Sequence, residues 1–263
     1  MKVRQPDFDF ADVDPIWADD VAAVHGINAQ GIVPAYIEPF LIKVMRRAKA
    51  ELDPVEHAGL VRDIDVFNKQ EAQHFKFHAA LNRCVREHGY EGMADYERSY
   101  EAEYDEMLAR RPLKWLLAYC EGFESMGLAA APMFVDGGLE ASLPGADPRV
   151  LALWKWHLAE EYEHRTVAFR VLKALYGRNA LEFYVLRVSG FLHATRHIGR
   201  NVAALQQYLM ANAPRAGVAP TSRWQTVLAM RGRLRGFGHV LSPFYDPARV
   251  PPPVHLAEVL RSV

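Results

Sequence analysis

The chain has 263 residues, half of them hydrophobic, and its 31 Lys/Arg against 32 Asp/Glu give a formal net charge of −1. A chain of this size and apolar content can build one domain with a substantial core. The near balance of charge excludes a general nucleic-acid binder, which needs a basic excess. Cys84 and Cys120 are the two cysteines; they form no disulfide framework, lack metal-type spacing and read as buried thiols on helices. No apolar leader opens the chain. The most apolar run, residues 116–135, is broken by Glu121, Glu124 and Pro132, so a soluble, cytoplasmic protein with no membrane span is expected.

In chain order, residues 1–20 read as an irregular arm. Ile37, Phe40, Leu41, Val44 and Met45 fall at helical spacing and predict a helix over residues 33–50. Asp53-Pro54 is a start signal, an N-cap aspartate followed by a proline at the first helical position, for a helix that runs to His88 and ends at Gly89. A shorter helical pattern covers residues 93–109. Pro112 opens a third long helix that ends near Pro132 or Val135, and Gly137, Gly138, Pro144 and Gly145 mark a loop. Asp147-Pro148 repeats the start signal, for a fourth long helix extending to Tyr176 and closed by Gly177. A fifth helix spans residues 180–212, a short one residues 223–235, and residues 236–263 form an extended tail that packs over the bundle. With no strand alternation and no repeat at a solenoid period, the chain reads as all-α, a single domain.

Two of the long helices carry Glu-x-x-His: Glu71 with His74, and Glu161 with His164. Residues three or four apart share a helix face, so each pair can address one metal ion. The helices before them carry Glu38 and Glu121 in apolar surroundings. A glutamate from each of two helices plus Glu-x-x-His from each of two more is the ligand set of a two-metal site in a ferritin-like four-helix bundle. Here that bundle would bear additional C-terminal helices. Four carboxylates balance two divalent cations, and the donor types suit iron or manganese and also accept zinc.

Glu124, one turn after Glu121, is the alternative ligand on that helix. His157 stands four before Glu161 and seven before His164, as an extra ligand or as a supporting core histidine. His78, four after His74, fits a supporting role. Glu160 reads as facing solvent or forming a salt bridge. His193 and His197, among Arg187, Arg196 and Arg200, read as a polar helix face. By helical position, Phe123, Met126, Gly127 and Trp156 are the candidates to line an apolar substrate pocket.

The motif Phe67-x-x-Gln70-Glu71-x-x-His74-x-x-x-His78-x-x-Leu81-Asn82, followed by Trp156-His157-x-x-Glu160-Glu161-x-Glu163-His164, resembles the bacterial family catalogued as predicted metal-dependent hydrolases, over roughly residues 30–175. His157-x-x-x-Glu161-x-x-His164 also resembles the ferritin-like di-iron arylamine N-oxygenases, in the ligand pattern alone. That second resemblance implies the ligand set Glu38, Glu71, His74, Glu121, His157, Glu161 and His164.

The expected function is therefore a di-iron enzyme that uses O2 as co-substrate to oxidise a small organic substrate, with an external electron donor. A two-metal hydrolase loaded with zinc, manganese or iron is the alternative, and a non-catalytic iron-binding bundle the third reading. A homodimer is compatible with such a bundle. Gly-x-Ser-x-Gly, the serine-hydrolase signature, is absent.

Overall fold

The computed structural model describes residues 1–213 and 237–263. Among these residues the chain is an all-α bundle without strands. The helices are α1 (Val21–Gln30), α2 (Ile32–Glu51), α3 (Ala58–Glu87), α4 (Met93–Arg110), α5 (Leu113–Val135), α6 (Gly138–Ser142), α7 (Pro148–His164), α8 (Val167–Tyr176) and α9 (Ala180–Asn212). A 3-10 turn, Pro247–Arg249, and a short helix, Leu256–Val259, follow in the tail. The short helix expected over residues 223–235 lies outside the described residues. No helix among the described residues is long and apolar enough to cross a membrane.

Several element boundaries differ from expectation for local reasons. Asp53 does not open a helix at residue 54: its carboxylate accepts from the Val55 and Glu56 amides in a turn, and α3 starts at Ala58. Asp147 does act as an N-cap, accepting from the Arg149 amide with Pro148 at the first helical position. The fourth long helix is two helices, because the chain breaks at Arg165 and Thr166, directly after His164. There the Arg165 guanidinium donates to Tyr162 O and Pro247 O. The loop after α5 folds into the short α6, entered through Gly137 at φ +80°. Residues 21–30 form a helix, α1, that ends at Gly31. A side chain at Gly31 would put its Cβ 2.7 Å from Asn82 Oδ1, while Asn82 donates to Gly31 O, so this joint is pinned to α3.

Two buried apolar clusters meet around the ligand-bearing turns. On α3, Glu71 and His74 fall between Phe67 of one cluster and Phe77 of the other; on α5, Glu124 falls between Phe123 and Leu128. The polar groups therefore sit inside the bundle rather than on its surface. Helices α5 and α9 approach closely: a Cβ at Gly122 would lie 2.6 Å from Phe191 Cα, and one at Gly190 2.0 Å from Ala118 O. Both cysteines are free and buried, Cys84 on α3 and Cys120 on α5.

Candidate metal centre

Four helices, α2, α3, α5 and α7, bring their acidic and imidazole side chains to one buried place. Glu38, His74, His157 and Glu161 each offer a donor atom within 4.8 Å of the others, and Glu71, Glu124, Glu161 and His164 do the same. Glu161 belongs to both groups. All seven side chains are nearly or fully buried.

The contacts converge on a single oxygen. Glu161 Oε1 lies 3.1 Å from His157 Nε2, 3.4 Å from His164 Nε2 and 3.7 Å from His74 Nδ1. His157 Nε2 is also 3.3 Å from Glu38 Oε1, and His164 Nε2 is 3.1 Å from Glu71 Oε1 and 3.4 Å from Glu124 Oε2. Glu161 Oε2 points at Gly127, where an added Cβ would meet it at 2.8 Å.

Glu121 is not part of this convergence. Its Oε1 accepts from the Ser125 hydroxyl at 3.0 Å, and Ser125 in turn lies 3.0 Å from the Tyr245 hydroxyl of the tail. The other carboxylate on α5, Glu124, occupies the place the sequence reading gave to Glu121. The rotation of α5 decides between them. Glu124 shares its face with Gly127, which abuts Glu161, whereas Glu121 lies beside Gly122, the residue packed on α9.

Each of the three histidines uses its far nitrogen in a hydrogen bond. His74 Nε2 donates to Glu160 Oε2 at 3.0 Å, and Glu160 Oε1 accepts from Arg4 Nη1 at 2.7 Å. His164 Nδ1 lies 3.2 Å from Gln70 Oε1, and His157 Nδ1 lies 2.8 Å from His78 Nε2. What is left facing the carboxylates is His74 Nδ1, His164 Nε2 and His157 Nε2. This is the arrangement by which outer partners orient ligating imidazoles. Glu160, expected at the surface or in a salt bridge, is fully buried and ion-paired. Gln70 stands in the motif that resembles the family but was given no role there, and Arg4 carried no periodic or spacing signal at all.

Electrostatics mark the same spot. Burial pushes the Glu38 carboxyl up to about 8. Burial and the neighbouring carboxylates raise Glu71 and Glu124 well above the usual range. Burial opposes ionisation of Glu161 too, but His164 and His157 outweigh it and hold that carboxyl below its ordinary value. Burial acts to lower His157, yet Glu38 and Glu161 push it up to about 10. Burial alone raises Glu121 to about 7, against the pull of Arg187 and Ser125.

Both oxygens of Glu38, Glu71 and Glu124, Oε2 of Glu161, Nδ1 of His74 and Nε2 of His164 are buried without a hydrogen-bond partner. Unsatisfied buried groups are rare in folded proteins, and each costs about 1–3 kcal/mol or more when charged. Two cations placed among them would satisfy them together, so the donor set fits a metal pair.

The pocket-lining expectation fares unevenly. Gly127 lies against Glu161, but Trp156 is fully buried, its ring packed on His74, Phe77 and Phe8. The polar face expected on α9 is partly internal. His197 joins a buried chain with Tyr119, Tyr104 and Tyr100 and bonds Glu103, while Arg187 is buried and donates to Val240 O and Ser242 O.

Neither the curated proteins nor the solved structures contain a match to this sequence. A family described as predicted metal-dependent hydrolase matches residues 2–250, an extent that takes in the arm, every side chain of the buried centre and most of the tail. The chain belongs to the predicted metal-dependent hydrolase family.

Proposed function

We propose that the two groups of side chains would hold a pair of metal ions, Glu161 offering a donor to both, and that this centre hydrolyses a small substrate. The observation that carries the reading is the sharing of Glu161 between two donor groups in which both oxygens of Glu38, Glu71 and Glu124, His74 Nδ1 and His164 Nε2 have no hydrogen-bond partner. Glu38, His74 and His157 would hold one ion with Glu161; Glu71, Glu124 and His164 would hold the other. When bound, such a pair supplies Lewis-acid polarisation of a carbonyl or phosphoryl oxygen and activates water for attack. Membership of a family described as metal-dependent hydrolases supports hydrolysis over the oxidation that the ligand pattern alone suggested.

The protein's own groups have definite tasks. Four carboxylates neutralise two divalent cations, so the filled centre can stay buried at little electrostatic cost. Glu160, Gln70 and His78 fix the imidazole orientations. Trp156 and Phe67 pack on His74 and His164, with ring centroids 4.8 and 4.6 Å apart, and keep bulk water from those faces.

The test is turnover under strict anaerobiosis. Protein loaded with Zn(II) or Mn(II) is assayed on a panel of activated esters, amides and phosphate esters, beside Glu161→Gln. Anaerobic turnover that Glu161→Gln abolishes is the expected result; its absence from every loaded form contradicts hydrolysis.

One observation favours a second reading. Glutamates on α2 and α5 with Glu-x-x-His on α3 and α7 form the ferritin-like di-iron carboxylate set, and a third histidine is added here. An oxidase or oxygenase with two Fe ions, O2, an organic substrate and an electron donor would show O2 uptake by the Fe(II)-loaded protein.

A further inference from the structure

We propose that Arg4, carried in by the N-terminal arm, is a positioning residue of the centre, acting through Glu160 to fix the His74 imidazole with Nδ1 facing the ligand cluster. The inference rests on the dinuclear reading above and adds a residue from outside the four ligand-bearing helices.

Arg4 is only 8% exposed although it lies near the start of the chain. All three of its guanidinium nitrogens donate. Nη1 donates to Glu160 Oε1 at 2.7 Å, to Glu163 Oε2 at 3.2 Å and to Lys2 O at 3.1 Å; Nη2 donates to Glu163 Oε1 at 3.3 Å; and Nε donates to Leu260 O at 3.0 Å. The residue thus ties the arm, α7 and the C-terminal segment together over the centre.

The consequence reaches His74 by a chain of two bonds. A carboxylate paired with a guanidinium is an acceptor only. Glu160 Oε2 therefore accepts a hydrogen bond from His74 Nε2–H, and neutral His74 presents a bare Nδ1 to Glu71 and Glu161. A parallel chain serves His164. The Gln70 amide donates both its protons, to Lys2 O at 3.0 Å and Glu163 Oε2 at 2.7 Å, which leaves Gln70 Oε1 as the acceptor for His164 Nδ1. Arg4 supports this second chain only at one remove, through Glu163 and the Lys2 carbonyl that both residues share, and its end group is a neutral amide. Arg4 acts more directly on the half that contains His74.

Full-length protein, stripped of metal by a chelator, is studied in two ways. Long-range 1H–15N correlation reads the tautomer of His74, and Co(II) titration, followed by calorimetry and visible absorption, reads the two halves. In the wild type, His74 should carry its proton on Nε2 and two classes of Co(II) site should appear. Arg4→Met should lose the fixed tautomer and weaken one class by at least about tenfold, the effect typical of lost outer partners. Arg4→Lys should recover part of that loss because it restores a cation. Should Arg4→Met not fold, Glu160→Gln tests the same link and should weaken the same class.

An Arg4→Met protein with the wild-type tautomer and unchanged Co(II) binding overturns the inference. So does an equal weakening of both classes with the tautomer intact, which marks a merely structural role. A wild type that binds no Co(II) instead overturns the dinuclear reading, and the inference with it.

Discussion

Glu121 and Glu124 stand one turn apart on α5 and do different work. Glu124 faces His164 across 3.4 Å, while Glu121 turns Oε1 to the Ser125 hydroxyl and is absent from both donor groups. On the dinuclear reading, Glu124→Ala should therefore cost one of the two proposed metal ions, and Glu121→Ala should keep both, as read by metal analysis of the purified variants. The reverse pattern would return Glu121 to the ligand set. Sequence periodicity could not separate the two, since residues three apart share a face. In the structure they differ by their helical neighbours: Glu124 shares a face with Gly127, against Glu161, and Glu121 lies beside Gly122, packed on α9. Glu71, His74, Glu161 and His164 were legible because their three-residue spacing states a shared direction. For Glu160 the salt bridge was legible but its burial and its partner were not, because Arg4 is 156 residues away.

At the scale of elements, the long helices were legible from apolar spacing and from turn residues such as Pro148, Gly89 and Gly177. The break between α7 and α8 was not, because no proline or glycine marks it; there Arg165 reaches Pro247 O in the distant tail. Likewise Asp53-Pro54 carries a start signal that the structure uses for a turn instead. The contact between α5 and α9 depends on backbone meeting backbone. Gly190→Ala would drive a Cβ to 2.0 Å from Ala118 O, a clash that no side-chain rotation relieves. The expected loss is about 1–3 kcal/mol of stability, measurable as a lower denaturant midpoint with an unchanged slope. Stability equal to wild type would mean the two helices are free to separate there.

Across the whole molecule, the centre is a concentration of charge that the fold alone does not neutralise. In the folded chain Glu38 is pushed up to about 8 from an ordinary 4.5, Glu121 to about 7, and Glu71 and Glu124 well above 4.5, all chiefly by burial. His157 is held up to about 10 from an ordinary 6.5, Glu38 and Glu161 outweighing its burial. Between about pH 6.5 and 8 the metal-free folded chain thus retains protons that the unfolded chain has released. His74 and His78, lowered chiefly by burial, act in the opposite sense only at the lower end of the window, where their unfolded imidazoles still hold part of a proton. Stability of the metal-free protein should therefore fall as pH rises through it. Metal ligation uses the deprotonated forms, so the loaded protein should move the other way. Thermal unfolding of both forms at the two ends of the window checks this, and parallel slopes would contradict it. The arm and tail that cover the centre were the least legible part of the chain, because they act through single long-range bonds such as Arg4 to Leu260 O and Tyr162 to Val250 O rather than through any repeating pattern.

The most direct measurement is the metal content of protein purified from cells supplied with iron, manganese and zinc. A dinuclear centre predicts about two ions per chain, released together when Glu161 is replaced by Gln. A wild-type protein that binds none, or a Glu161→Gln protein that keeps both, would contradict it.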